Sequence, residues 1–283
     1  MGLNKETDAN LIAKMVLDVN RVGHDLCAKD HDRAVPYIHR QSTRRYYWDL
    51  LSAGISSVGK QWHGSRVLEL GCGTGTFADM VVASGATYIG LDLSPRMIEV
   101  ARGKFENPKM FFQCSSLEAF APSNHGIADI IFSFSFLHHL SDLEAGLVSI
   151  SSMLAEQGFY VALHEVNSMR KLSFWEKIDE RLQCLFGYGP FVSKPFWKRV
   201  LWALQVRSIL KMLVRLGGSA TIESTVDYID YQLNKPFSLS NRVGHLGKVS
   251  QYCYFAFPEL MKFSRPMNHE MLVMGKSMSR VQV

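Results

Sequence analysis

The stretch Val67-Leu-Glu-Leu-Gly71-Cys-Gly73-Thr-Gly75 constrains this chain more than any other. Apolar-leaning residues run straight into glycines at alternate positions, the pattern of a buried parallel strand that breaks into a tight loop. A helical pattern follows from Thr76 to Ala83. Glycines in such a loop allow positive φ and let a ligand approach the backbone without meeting a Cβ. A dinucleotide fingerprint has the spacing Gly-x-Gly-x-x-Gly and seats a pyrophosphate on the helix N-terminus. Here the third glycine comes one position early, and a carboxylate, Glu69, stands two residues before the first. A carboxylate at that place repels a pyrophosphate and attracts the α-amino group of a cationic ligand, directly or through water.

A second acidic position follows. Thr87-Tyr-Ile-Gly-Leu91 reads as the next strand and ends in Asp92, about twenty residues beyond the first glycine. A carboxylate there accepts hydrogen bonds from both ribose hydroxyls of an adenosine ligand. The same Asp92 also suits a turn or a helix cap ahead of Ser94-Pro95. An adenosine joined to an α-amino group and a positive charge is S-adenosylmethionine (SAM), the expected cofactor.

Arg66 to about Val166 resembles the core of a class I SAM-dependent methyltransferase, in its small-molecule (methyltransferase 11-like) branch. Beyond the glycine loop, Met110-Phe-Phe-Gln-Cys114-Ser-Ser-Leu117 resembles the third strand and the loop that holds the adenine. Asp129 to Leu140 is similar to the fourth strand and its following segment, and Leu154 to Glu165 to a helix end, glycine turn and fifth strand. The resemblance implies a doubly wound, Rossmann-like α/β fold with a seven-stranded sheet, N-terminal helices and a mainly helical lid inserted before the last strands. It divides the chain into cofactor-covering helices (1–60), a SAM-binding core (61–166), a lid or acceptor-binding insertion (167–247) and closing strands (248–283). The implied cofactor contacts are Tyr47, Glu69, Gly71, Cys72, Gly73, Gly75, Asp92, Leu93, Met97, Ser115, Ser116, Leu117 and Phe134. One departure stands out. Members of the family commonly carry Asp where this chain has Ser115, and a hydroxyl accepts the adenine amino group more weakly than a carboxylate. Ser115 equally suits a helix N-cap.

The strand–helix alternation continues through Pro95–Phe105, Met110–Gln113, Ala128–Phe134, Leu143–Leu154 and Phe159–Leu163. That alternation means a parallel sheet with ligands at the carboxyl ends of its strands. Ahead of it, Leu11 to Val22 carries one apolar face at helical spacing. A polar break follows at Ala28-Lys-Asp-His-Asp-Arg33, and Tyr37 to Ala53 then reads as a second helix. Its Tyr46 and Tyr47 either pack on the sheet or face the cofactor or acceptor.

The fourth-strand segment indicates the kind of transfer. Ser133-Phe-Ser-Phe136 is unlike the Asn/Asp-Pro-Pro-Tyr loop of enzymes that methylate nucleobases or glutamine, and the carboxylate cluster of metal-dependent catechol-type enzymes is missing. No metal is expected. His138 and His139 are adjacent on a helical turn, so at most one faces the site. His164 and Glu165 end the fifth strand and point oppositely if the strand is regular. His139, His164 and Glu165 are therefore candidates for handling the acceptor's proton, each with a packing or capping role as the alternative.

Composition restricts the remaining classes. A net charge of +5 without dense Lys/Arg clusters permits an anionic acceptor or membrane surface and gives no reason to expect nucleic acid. Five scattered cysteines without a Cys-x-x-Cys pair point to a reducing cytoplasm. The N-terminal residues lack the apolar core of a signal peptide. Within 167–247, seven aromatics precede Lys198 to Leu216, whose Arg207, Lys211 and Arg215 line one helical face opposite an apolar one that begins with Trp202. The bland role for that helix is packing on the domain; the other is a lid touching a greasy acceptor or an anionic membrane surface. The expected activity is methyl transfer from SAM to a small molecule, with O-methylation preferred. Transfer to carbon or nitrogen, or a non-catalytic SAM-binding module, are the alternatives. Oligomeric state is left open.

Overall fold

The computed structural model describes residues 17–18, 20–34, 39–140, 142–166, 242–243, 246–254 and 269–276. Its strands form one sheet in the order β3-β2-β1-β4-β5-β8-β7-β6. They are β1 (Arg66–Leu70), β2 (Thr87–Asp92), β3 (Met110–Cys114), β4 (Ala128–Phe134), β5 (Leu154–Val166), β6 (Arg242–Val243), β7 (Leu246–Tyr254) and β8 (His269–Lys276). The first five are mutually parallel, while β8 runs antiparallel to β5 and β7 antiparallel to β8. Strand order reverses between β1 and β4, so a crevice opens at the carboxyl ends of the central strands.

Period-2 alternation within the strands builds two cores. Val67, Tyr88, Phe132, Val161 and Leu163 pack on one face with Tyr47, Leu51 and Ile55 of the Gln41–Ser57 helix. Leu68, Leu70, Ile131, Tyr160 and Ala162 face the other way, onto Leu147, Ile150 and Met153 of the Leu143–Met153 helix. Each fully buried side chain of this size contributes about 1.5–3 kcal/mol relative to exposure. Asp129 closes the opposite edge by accepting from the backbone and guanidinium of Arg66, at 2.8–3.1 Å.

Three expectations need adjustment. Among the described residues the sheet has eight strands rather than seven, because Arg242–Val243 folds back on Leu246–Gly247 as a two-residue edge strand. The second helix begins at Gln41 rather than Tyr37, since the backbone at Arg40 is extended. The helix after the glycine loop starts at Ala78 instead of Thr76, as the loop continues in turns to Phe77. The insertion between residues 167 and 241, with its aromatics and basic stripe, lies outside the described residues.

Candidate cofactor and acceptor site

At the carboxyl ends of β1, β2 and β3 lies a cleft bordered by Gly71, Leu91, Asp92, Ser115 and Leu117. The glycine loop forms one wall, and Asp92 and Leu93 follow β2 into its centre. Ser115, Ser116 and Leu117 follow β3 along the other side.

Asp92 is already engaged with the backbone. Its Oδ2 accepts from Gly73 N at 2.8 Å and its Oδ1 from Ser94 N at 2.8 Å. One carboxylate thus ties the glycine loop to the turn after β2, and each oxygen retains a further acceptor site for a ligand hydroxyl. The cap ahead of Pro95 is Ser94, whose Oγ accepts from Met97 N. In the β3 loop the cap is Ser116, with Oγ accepting from Ala119 N, while the Ser115 hydroxyl donates to Ser116 O. Positive φ is required at Gly71, Gly73 and Gly75. A Cβ at Gly71 would stand 2.8 Å from Phe136 and one at Gly75 2.8 Å from Phe105. At Gly73, by contrast, no atom of the described residues lies within 4 Å of a Cβ.

Six of the expected cofactor contacts line the cleft: Gly71, Asp92, Leu93, Ser115, Ser116 and Leu117. The others lie behind it. Tyr47 is fully buried against Phe134 and His164, and Cys72 and Met97 are buried in the core. Gly75 packs under Phe105 and Phe112, and Gly73 contributes its amide to Asp92. Glu69 is buried and accepts from the Tyr88 hydroxyl. Burial pushes its carboxyl up to about 8, against the Tyr88 bond and with the Asp92 charge adding to the rise. Without a cationic partner that side chain is largely protonated at neutral pH.

N-terminal helices over the cofactor are expected from the sequence, but the residues that face the cleft are not. Leu17, Asn20 and His24 of the N-terminal segment close the cleft opposite Asp92. Asn20 is buried, and its Oδ1 has no hydrogen-bond partner among the described residues. Such an orphan acceptor suits a ligand that brings a donor. Period-3.6 apolar spacing announced a helix there, but an asparagine and a histidine on it carry no local mark of facing a ligand.

The histidine pair separates as the helical geometry requires. His138 Nδ1 lies 3.1 Å from Glu165 Oε2. His139 lines the cleft, edge-on to His24 with ring centroids 5.7 Å apart. Burial, with His138 and His24 alongside, drives the His139 imidazole well below its ordinary 6.5, so it is neutral. The β5 end departs from a regular strand. A register shift between Ala162 and Glu165, with positive φ at His164, breaks the alternation, and both side chains are buried. His164 stacks on Tyr47 and meets Phe134 edge-on at 4.6 Å. Ser135, also at positive φ, donates its amide to Leu163 O and its hydroxyl to His164 O. Two non-glycine residues held in the left-handed region at one sheet end mark a place where the surroundings impose geometry.

Glu165 holds the opposing loop. Its Oε1 accepts from Phe136 N and Leu137 N, both at 2.9 Å, and its Oε2 faces His138. Burial raises its pKa, but the His138 contact and the two amides outweigh this and leave the carboxyl below its ordinary 4.5. Glu165→Ala strands two buried amides and should cost about 3 kcal/mol or more at pH 7. A depressed carboxylate contributes stability above its unfolded pKa and loses it as pH falls. Urea titrations of both proteins should therefore converge as pH drops below about 4.5, and a gap independent of pH would mean the carboxylate charge is not what holds the loop.

Residues 67–158 match the family model described as "Methyltransferase domain". The ubiquinone biosynthesis O-methyltransferase of Aromatoleum aromaticum is 32% identical over 132 residues, covering 46% of this chain and 53% of that protein. The protein of the same name from Thiobacillus denitrificans is 32% identical over 110 residues, covering 38% and 47%. This chain thus spans about half the length of the curated relatives it matches. Phosphoethanolamine N-methyltransferase 1 of Haemonchus contortus, solved with phosphoethanolamine and S-adenosylhomocysteine, superimposes with a TM-score of 0.54 at 11% identity, over 96% of this chain and 51% of that one. That likeness is one of fold. The glycine loop, the Asp92 bridge and the reversal of strand order all fall within residues 67–158, the segment that matches a methyltransferase domain.

Proposed function

We propose that this chain transfers a methyl group from SAM to the hydroxyl of a small molecule, a hydrophobic, lipid-like or sugar acceptor. The observation that carries the proposal is the cleft in which Asp92 stands between the glycine loop and the Ser115–Leu117 segment. Asp92 would accept from the ribose hydroxyls, with Leu93, Ser115, Ser116 and Leu117 bordering the adenine. Glu69 would ionise on meeting the ligand's amino group, with Gly71 and Gly73 leaving room for the chain between. Tyr47, Cys72, Gly75, Met97 and Phe134 would support these contacts from behind. When bound, SAM supplies a methyl group activated by its sulfonium.

The protein's own contribution is positioning, which is worth several kcal/mol of barrier lowering, and custody of the acceptor's proton. We assign the proton to His164, held at the end of β5 between Tyr47 and Phe134. Glu165 is occupied by the loop amides, and His139 sits in the cofactor cleft with its imidazole too acidic to be an effective base. The printed names of the curated relatives support oxygen as the accepting atom and a quinone-like phenol as the acceptor to try first. The aromatic-rich segment 167–241 is the proposed cover of an apolar acceptor and the proposed point of membrane contact. Among the described residues, no helix is long and apolar enough to cross a membrane.

Incubation with methyl-labelled SAM and a fractionated cell extract tests the proposal. Label should move into a small organic-soluble product whose new methyl group is an ether. Label on nitrogen or carbon would transfer the proposal to the other acceptor atoms, and no transfer from any fraction would leave a SAM-binding module instead. His164→Gln should lower kcat about tenfold or more, the range of a lost general base, while S-adenosylhomocysteine affinity stays unchanged. An unaltered kcat would remove His164 from proton transfer.

A further inference from the structure

A second cluster of side chains lies on the N-terminal cover, away from the cleft that holds Asp92. His31 and Asp32 open the short His31–Ala34 helix, and His39 stands two residues ahead of Gln41. His39 Nε2 is 3.3 Å from Asp32 Oδ1, and His31 Nδ1 is 3.8 Å from the same oxygen. The three atoms lie within 4.8 Å of one another. The two rings meet edge-on, 85° apart with centroids separated by 5.7 Å. Both nitrogens are buried, and neither has a hydrogen-bond partner. Two buried ring nitrogens converge on one carboxylate oxygen, and among the described residues neither completes a hydrogen bond, so they frame a small common centre.

The dimensions of that centre are those of a metal site. A tetrahedral ion with bonds of about 2.0–2.1 Å holds its ligand atoms roughly 3.3–3.4 Å apart. The two imidazole–carboxylate separations of 3.3 and 3.8 Å are close to that value, and the two imidazole nitrogens, within 4.8 Å of each other, close on an ion by moving together. Asp32 is fixed by outer partners, as ligating carboxylates usually are. Thr74 Oγ1 donates to Oδ1 at 2.7 Å, and Lys104 Nζ donates to Oδ2 and to Thr74 O. Two imidazoles and one carboxylate, with a fourth position open to water, suit a borderline-soft divalent transition ion such as zinc.

We infer that His31, Asp32 and His39 form a transition-metal site that fastens the N-terminal cover to Thr74 of the glycine loop. The ammonium of Lys104 opposes a cation here and limits affinity. Its loss is therefore an informative change, since Lys104→Gln should tighten metal binding where most lysine substitutions would have no effect. The site stands independently of methyl transfer and is tested without SAM.

The experiment is zinc calorimetry on the chelator-treated full chain, paired with the visible spectrum of the cobalt form. One equivalent of zinc should bind and raise the melting temperature, and cobalt should give the intense d–d bands of a tetrahedral N/O site. His31→Ala and His39→Ala should each weaken zinc at least tenfold, a loss comparable to or larger than that of an outer partner. His39→Gln keeps volume and polarity, so it serves if the alanine variants do not fold. A chain that binds no zinc, or whose binding is untouched by both histidine changes, overturns the assignment. Charge-transfer bands of a cobalt thiolate would do so equally, by placing the ion on the cysteines.

Discussion

Asp92→Ala should lower SAM and S-adenosylhomocysteine affinity by at least tenfold and also destabilise the ligand-free protein. The first effect follows from losing charge-assisted hydrogen bonds to the ribose, worth roughly 1.5–3 kcal/mol each before water compensates. The second follows from what the carboxylate holds in the empty protein. Gly73 N and Ser94 N both donate to it, and alanine leaves both without a partner. A pure ligand contact would leave the melting temperature unchanged, and the two backbone bonds make Asp92 more than that. Asp92→Asn separates the effects, since its one carbonyl can retain one amide bond while the charge is gone. Calorimetry and thermal melts on both variants decide. Unchanged affinity in the alanine variant would reduce Asp92 to a turn residue.

Gly73→Leu should abolish cofactor binding and leave the fold in place. At φ +51 a leucine is strained by about 1–2 kcal/mol, which a domain of this size survives. Among the described residues no atom lies within 4 Å of the new Cβ, so the side chain is expected to project into space the ligand needs. The neighbouring glycines are poorer tests. A side chain at Gly71 or Gly75 collides with Phe136 or Phe105 and would confound lost binding with lost packing. Circular dichroism with a melting curve close to wild type, together with no calorimetric heat from S-adenosylhomocysteine, is the expected pair of results. Retained binding would mean that the ligand does not pass over Gly73.

The core was legible because its signals are local. Apolar alternation, glycines at alternate positions and carboxylates at strand ends each follow from the chemistry of a few consecutive residues, and β1 to β5 fall close to where they were expected. Residues whose role depends on distant partners were harder to place. Tyr47 has the composition of a pocket residue but is buried by Phe134 and His164, eighty-odd and more positions further on. Glu165 reads as a candidate base in a regular strand, until the shift at His164 turns it onto the amides of Phe136 and Leu137. Asn20 and His24 entered the cleft only when the N-terminal segment docked. The His31, Asp32 and His39 cluster was invisible for the same reason. Scattered cysteines argue against a thiolate framework, but they carry no information on histidines eight residues apart that the turn before Gln41 brings together.

The central claim is that the cleft at the ends of β1, β2 and β3 is built for SAM, and competitive calorimetry addresses it most directly. S-Adenosylhomocysteine and NAD would each be titrated into the full chain and into Gly73→Leu. The structure predicts one equivalent of S-adenosylhomocysteine bound by the native chain, none by the variant, and no heat from NAD in either. Tight NAD binding with none for SAM or its product would contradict it.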